Sequence, residues 1–253
     1  LAGILGLFAL FLLLAYHNIA DGDLWARLAA GAAVWHSGRV MPHDIFAFTP
    51  TLPLWIDHEW GAGVVFYGLL RWFGPSSLLW FKILMGIGAV AAALYAGRQR
   101  GGGAAALLLL AIPCAWTILP GYVPVVRSHA FSYLFFGMVL IGMQWLYEGR
   151  RWPGIAVPLI MLCWANVHGG FVAGLGIIGI YALPALITGR NRTVMFWTGA
   201  ASAAAVVITP YGVDFWRYLI PALLHPRPHI SEWAPLPIWA WDLFRGFRYF
   251  FLI

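Results

Sequence analysis

Residues 153–189, PGIAVPLIMLCWANVHGGFVAGLGIIGIYALPALITG, contain no Asp, Glu, Lys or Arg, and they decide the class of fold. A helix needs about 20 apolar residues to cross the hydrocarbon core of a bilayer, so this run is long enough for two crossings. Asn166-Val167-His168-Gly169-Gly170 interrupts it near the middle. The stretch therefore predicts two membrane-spanning helices joined at a short polar break.

The composition of the whole chain points to the same class. Of 253 residues, 62% are hydrophobic and only 9% are charged, whereas about a quarter of the residues of a soluble domain are charged. The formal net charge of +6 could suggest nucleic-acid binding. The basic residues instead occupy short loops between apolar runs, which is the pattern of a membrane protein that obeys the positive-inside rule, so we expect no nucleic-acid partner.

Other charge-poor runs of similar length predict further spans. We expect an all-α integral membrane protein with about seven transmembrane helices, at residues 1–19, 76–97, 104–119, 128–147, 153–167, 171–188 and 194–209. Seven spans place three basic loops on one side, which is therefore cytoplasmic. These loops contain Arg98-Gln99-Arg100, Arg150-Arg151 and Arg190-Asn191-Arg192. Residues 1–253 then form a single transmembrane module. Because the sequence begins at Leu1 instead of Met and ends within the hydrophobic run 249–253, we expect it to be the N-terminal part of a longer chain.

The first outer loop, residues 20–75, is predicted to contain two helices that lie along the membrane interface. Residues 22–37 and 58–73 are weakly charged and rich in small and aromatic residues, as such helices often are. Residues 38–57 between them hold three prolines and are predicted to be a loop. An eighth span at 58–73 is the alternative, but the three basic loops would then no longer share one side.

Acidic residues gather on the outer side of this topology. The sharpest group is Asp21-Gly22-Asp23, directly after the first span. Two carboxylates around a glycine can reach one cation, and Mg²⁺ takes oxygen ligands and often bridges to phosphate. A solvated turn or a helix cap is the alternative interpretation.

Two further groups on the outer side carry candidate functional residues. Asp57, His58 and Glu59 could supply metal ligands or an acid/base pair, although Asp57 could also cap a helix and the spacing does not match a zinc motif. The planar guanidinium of Arg127 can bind a phosphate through two parallel hydrogen bonds. A lipid-facing arginine that reaches toward headgroups is the alternative for Arg127.

The polar break predicts a cavity that opens on the outer side. Asn166 and His168 stand beside small residues, which suggests a helix break lining a polar cavity. Close helix packing through glycine is the alternative. Thr209-Pro210-Tyr211-Gly212 is predicted to end a span and turn, and Glu232 could return to the same cavity or belong to a structural loop.

This layout resembles the module shared by the GT-C membrane glycosyltransferases, in which one span is followed by a long outer loop with two interfacial helices and then by six more spans. That family carries an acidic motif just after its first span, where Asp21-Gly22-Asp23 stands here. Further phrases resemble those of bacterial membrane proteins that are placed near this superfamily: Asp-His-Glu-Trp (57–60), Trp-Ala-Asn-Val-His-Gly-Gly-Phe (164–171), Thr-Pro-Tyr-Gly (209–212) and Ser-Glu-Trp-Ala-Pro (231–235).

The resemblance implies transfer of a sugar from a polyprenyl-phosphate-linked donor, at a site facing the periplasm or exterior of the bacterial cytoplasmic membrane. It makes Asp21 or Asp23 the catalytic residue and Arg127 the phosphate-binding residue, with Mg²⁺ or Mn²⁺ as a possible cofactor. Two alternatives stay open. One is a non-catalytic accessory subunit of a larger membrane complex, and the other is a transporter, for which no internal symmetry is evident.

Overall fold

The computed structural model describes residues 19–49, 51, 53–109, 111, 122 and 125–224. These residues form helices, turns and loops, with no β-strand among them. The helices are α1 (Gly22–Ser37), α2 (Trp60–Phe73), α3 (Ser76–Gln99), α4 (His129–Tyr147), α5 (Pro153–Val167), α6 (Phe171–Thr188), α7 (Arg192–Ala205) and α8 (Val213–Leu224). The all-α prediction is thus confirmed for the described residues.

Three of these helices are long and apolar enough to cross a membrane: α3, α4 and α6. They correspond to the predicted spans 76–97, 128–147 and 171–188. The prediction of seven spans is not met among the described residues. α5 is apolar but has only 15 residues, and α7 stops at Ala205 because residues 206–209 leave the helix in tight turns.

Two predicted spans lie mostly or partly outside the described residues. The first, 1–19, lies almost wholly outside the described residues, and of 104–119 only 104–109 and 111 are described, all of them helical. Helix α8 was not predicted at all. Asp214 in its first turn and Pro221 in its interior interrupt the long apolar pattern from which the other helices are predicted.

Glycine contacts fix how the long helices run beside one another. A Cβ on Gly88 would meet the Leu134 side chain at 2.9 Å, and a Cβ on Gly137 would meet that of Ala92 at 2.8 Å. Residue numbers rise in both helices from the first contact to the second, so α3 and α4 are parallel. α5 returns antiparallel to α4, since a Cβ on Gly142 would meet Val157 at 2.7 Å while Ser132 bonds Trp164.

This arrangement gives the helices two chemically different ends. At one, which we call the basic end (residues 98–102, 144–152 and 181–192), Arg100 donates to Gln144 Oε1 at 2.5 Å and to the Tyr181 hydroxyl at 3.1 Å. Arg190 lies over the Tyr147 ring there. The other, the acidic end, contains residues 21–27, 57–61, 127–132 and 164–171. The three basic loops therefore lie together, away from the first-loop acids.

The outward faces of the long helices are apolar. Large exposed side chains there include Leu84, Ile155, Leu159, Ile180 and Leu183, which are 56–73% exposed. The one charged residue within the α3 span, Lys82, is instead fully buried against the protein, as expected where a charge facing lipid would be costly. This distribution is compatible with membrane insertion.

Helices α1 and α2 pack as a tight pair across two glycines. A Cβ on Gly31 would lie 2.0 Å from the Gly63 carbonyl oxygen, and a Cβ on Gly63 would lie 2.7 Å from the Arg27 carbonyl oxygen. Only the missing side chains allow the two backbones to come so close. The pair matches the two helices predicted in the first outer loop, with no helix in the described part of 38–57 between them.

Gly31→Ala tests this pair. We expect the substitution to lower the free energy of unfolding by about 1–3 kcal/mol or more, because the new methyl group meets backbone, which cannot rotate away. The control is Gly176→Ala on α6, where a Cβ meets nothing within 4 Å. Unfolding by SDS titration, followed by tryptophan fluorescence, measures both variants, and equal stabilities would contradict the described contact.

Candidate functional site

The first group of polar residues joins the start of α1 to Arg127, which lies two residues before α4. Arg127 Nε and Nη2 each lie 2.8 Å from Asp21 Oδ2, and Nη2 lies 3.0 Å from Asp23 Oδ2. Arg127 and Asp21 are 106 positions apart along the chain. One guanidinium thus binds both carboxylates of the Asp-Gly-Asp motif, and we call these three residues the outer cluster.

Asp21 is also the N-cap of α1. Its extended backbone starts the helix, and its Oδ1 accepts a hydrogen bond of 3.0 Å from the Leu24 amide. The helix-cap interpretation of Asp21 is therefore confirmed, and its catalytic role stays a prediction. With both oxygens occupied, Asp21 is well suited to hold Arg127 in place.

Asp23 is the accessible carboxylate of the outer cluster. Its side chain is 64% exposed, compared with 19% for Asp21. It lies in the first turn of α1, where the unpaired amides of the helix favour a negative charge. Asp23 can therefore exchange Arg127 for a ligand without disturbing the helix cap.

A second group, the inner cluster, consists of Arg27, Asp57, Glu59 and His168. Arg27 follows Asp23 by one helical turn and forms a salt bridge through Nη1 with Asp57 Oδ1, while its Nε lies 3.6 Å from Glu59 Oε2. Asp57 is only 5% exposed. A buried carboxylate needs such a partner, because the charge would otherwise be stranded away from water.

Asp57 organises the entry to α2. Its Oδ1 also accepts from the Glu59 amide at 3.1 Å, and its own amide donates to the Tyr211 hydroxyl at 3.2 Å. Burial is the main reason that the pKa of Tyr211 is raised to about 12, so this hydroxyl stays neutral. Asp57 Oδ2 is buried and has no hydrogen-bond partner among the described residues.

Hydrogen bonds around His168 determine where its proton sits. The Gly170 amide donates to His168 Nδ1 at 2.9 Å, so Nδ1 is an acceptor. Ser132 Oγ lies 2.6 Å from the same nitrogen and accepts a hydrogen bond of 2.7 Å from the Trp164 indole. The Ser132 hydroxyl hydrogen is therefore available for donation to His168 Nδ1. The neutral ring then carries its hydrogen on Nε2, which points toward Glu59 Oε1 at 3.5 Å.

Asn166 connects α5, α2 and the turn after α7 at the same end. Its amide nitrogen donates to the carbonyls of Leu162 and Ile208, each at 2.9 Å, and its oxygen accepts from the Trp60 indole at 3.0 Å. A Cβ on Gly61 would lie 2.5 Å from the Asn166 carbonyl oxygen. These contacts are those expected of close packing through glycine, and a cavity-lining role for Asn166 stays a prediction.

The structure brings most of the predicted site residues to the acidic end. Asp21, Asp23 and Arg127 share one cluster, and Glu59 meets His168, with His58 Nε2 3.9 Å from Glu59 Oε1. Glu232 lies outside the described residues.

The sequence analysis did not identify Arg27 or Ser132, or the contact of Tyr211 with Asp57. Arg27 could have been found, because it is the one arginine of α1 and stands beside the apolar Leu24, Leu28 and Gly31.

A metal ion does not fit the outer cluster as it is arranged. The Arg127 guanidinium occupies the position between Asp21 and Asp23 where a divalent cation would bridge them. The described part of the chain also holds no group of three or more His, Cys, Asp or Glu placed to bind a metal. The expectation of Mg²⁺ or Mn²⁺ stays a prediction.

The surroundings of His168 predict a pH dependence of stability. Burial lowers its pKa below the ordinary value, and the His58 ring acts in the same direction, while the Glu59 carboxylate opposes both. At a pH between the lowered pKa of His168 in the folded protein and its ordinary pKa of about 6.5, the unfolded chain binds a proton at this residue that the folded chain does not. Stability is therefore fully present above pH 6.5 and falls as the pH drops toward the folded pKa.

His168→Asn should remove this component. We expect the unfolding free energy of the wild type to fall by up to about 1.4 kcal/mol per pH unit more steeply than that of the variant below pH 6.5. Asn can still accept from Ser132 and Gly170, which makes it a mild replacement. SDS unfolding between pH 5 and 7.5 provides the measurement, and parallel curves for both proteins would contradict the assignment.

No protein-family model, curated protein or solved structure matches the chain. The two clusters and the helices that hold them are therefore the features of the molecule that point to a function.

Proposed function

We propose that this chain is the membrane module of a glycosyltransferase, which moves a sugar from a polyprenyl-phosphate-linked donor to an acceptor on the non-cytoplasmic side. The observation that carries the proposal is the convergence of the first-loop carboxylates Asp21 and Asp23 on Arg127. These are the residues that the resemblance to GT-C enzymes assigns to catalysis and phosphate binding. They stand at the end of the helices that is opposite the basic loops.

The placement in a bacterial cytoplasmic membrane, with seven spans and two interfacial helices, belongs to the same proposal. The apolar outward faces of α3, α5 and α6 support burial in lipid. The gathering of Arg98, Arg100, Arg150 and Arg190 at one end supports a cytoplasmic location for that end. The acidic end would then face the periplasm or exterior, where it meets a lipid-linked donor.

The proposed reaction is a displacement at the anomeric carbon of the donor sugar. Asp23 removes the proton from an acceptor hydroxyl, whose oxygen forms the new bond to that carbon. The bond between the carbon and the phosphate oxygen breaks, and its electron pair leaves with the polyprenyl phosphate. Arg127 stabilises the charge that develops on the leaving phosphate, because a fixed cation acts strongly where negative charge grows.

Charge balance in the outer cluster suggests how the site is switched on. Two carboxylates and one guanidinium give this cluster a net negative charge, which opposes the entry of a phosphate. Binding of the phosphate to Arg127 must therefore displace one carboxylate. Asp21 is tied to the start of α1 and Asp23 is exposed, so Asp23 is the one released, and donor binding frees the base.

Transfer by the purified full-length protein in lipid nanodiscs tests the proposal. The donor is a polyprenyl-phosphate hexose with a radiolabelled sugar, and a membrane extract supplies the acceptors. We expect labelled product together with an equal amount of released polyprenyl phosphate. An intact donor, with protein that is folded and monodisperse, would reject transfer from this donor class.

A non-catalytic accessory subunit is the second candidate, and one observation favours it. Arg127 and Asp21 already satisfy each other with two hydrogen-bond contacts and a helix cap, which is also what a purely structural tie between α1 and α4 would do. In that case Arg127→Gln would lower stability, and the protein would co-purify with a catalytic partner in a fixed ratio.

A further inference from the structure

A cleft that the two clusters do not use lies beside the inner cluster. It is bounded by the end of α1, the loop after it and the turn before α8, and its volume is about 720 Å³. Val40, Met41, Pro42, Leu54 and Pro210 form much of its wall. Ligand sites are commonly of this size and largely apolar, with a few polar groups that orient the ligand.

Hydrogen bonds hold the loop that forms one wall of this cleft. The Trp55 amide donates to the Pro42 carbonyl at 2.8 Å, and His43 Nδ1 donates to the Pro53 carbonyl at 2.8 Å. Asp44 Oδ1 accepts from the amides of Phe46 and Ala47. The wall is therefore built before any ligand arrives, and little ordering entropy is lost on binding.

The charge at the mouth of the cleft favours an anion. Arg39 lies in the lining and is exposed, and its guanidinium forms no salt bridge with the residues that the structure describes. Asp214 also reaches the lining, but Arg217 neutralises it through a contact of 2.8 Å. A positive charge that is not balanced thus stands beside an apolar wall.

An apolar surface continues from the cleft to the tip of the same loop. Ile45, which lines the cleft, is 60% exposed, and Phe46 and Phe48 are 52% and 100% exposed. Exposed apolar groups next to an apolar cleft suit a ligand whose hydrocarbon part enters from a lipid surface.

We propose that this cleft binds an amphipathic anion, with a phosphate or carboxylate head at Arg39 and an alkyl body along the wall formed by Val40, Met41 and Leu54. None of the residues of the outer cluster takes part in it. The proposal therefore stands whether or not the chain transfers sugars. Tyr211 lines the cleft, and its hydroxyl accepts a hydrogen bond from the Asp57 amide, so the cleft adjoins the inner cluster.

Photo-crosslinking tests the site. The probe is a twelve-carbon alkyl phosphate with a diazirine at its chain end, added to the full chain in phosphatidylcholine nanodiscs, and mass spectrometry locates the adducts. We expect adducts within residues 40–54 or at 210–214. Excess dodecyl phosphate should remove them, whereas inorganic phosphate and dodecanol should not, because each provides only half of the ligand.

Two matched variants and a change of lipid complete the experiment. Arg39→Gln should reduce labelling roughly tenfold, as expected for the loss of a charged hydrogen bond, while Arg71→Gln, an exposed arginine at the end of α2, should not. If phosphatidylglycerol nanodiscs suppress labelling, the natural ligand is a bilayer lipid; if they do not, it is a free amphiphile. Labelling that is unchanged in Arg39→Gln, or equal labelling by an uncharged probe, would overturn the proposal.

Discussion

Asp23→Asn is expected to lower the rate of glycosyl transfer by about 100-fold or more, the usual contribution of a general base. The unfolding free energy should change by less than about 1 kcal/mol, because Asp23 is exposed, does not cap α1 and loses only a surface ion pair and a first-turn charge. Asparagine preserves the size of the side chain but cannot take a proton. Initial rates with the labelled donor, together with SDS unfolding of the same samples, provide the measurement.

Two further aspartates serve as controls for this result. Asp214→Asn alters an acid that also lies in the first turn of a helix and also binds an arginine, and we expect its transfer rate to match the wild type. Asp21→Asn keeps a good helix cap but weakens the hold on Arg127, so it should raise the KM for the donor more than it lowers kcat. If Asp23→Asn retains the wild-type rate, Asp23 is not the base.

Local sequence signals were sufficient for most of the helices. Residues 22–37 were predicted as one helix and α1 has those bounds, because Asp21 supplies a cap before the helix and Gly38 ends it with a left-handed backbone. α7 was predicted to continue to 209, since Val206, Val207 and Ile208 are apolar. It ends at Ala205, and its last carbonyls bond to tight turns that apolar composition cannot reveal.

The site itself could be predicted only in part. Residue type and position marked Asp21, Asp23 and Arg127 separately, but their contact depends on how α1 packs near the start of α4, which no local pattern encodes. Arg27 illustrates the same limit. A lone arginine on an apolar helix face signals a buried partner, yet the sequence does not say that the partner is Asp57 rather than another outer acid.

Arg27→Met is expected to cause the largest loss of stability, about 3–5 kcal/mol, because it leaves the buried Asp57 carboxylate without its cation. Asp57 Oδ2 already lacks a partner among the described residues, so removal of Arg27 would leave the charge with only the Glu59 amide. Methionine retains much of the length and volume of the arginine side chain. SDS unfolding of the variant in mixed micelles, followed by far-UV circular dichroism, gives the free energy.

A double variant separates stranded charge from lost packing. Arg27→Met with Asp57→Leu should recover most of the loss, since replacing a buried ion pair by apolar groups is often neutral or stabilising. Arg217→Met breaks the exposed pair with Asp214, whose side chains are 76% and 46% exposed, and should cost less than about 1 kcal/mol. If the double variant is as unstable as Arg27→Met, the arginine stabilises α1 through its packing, and the inner cluster does not owe its stability to charge pairing.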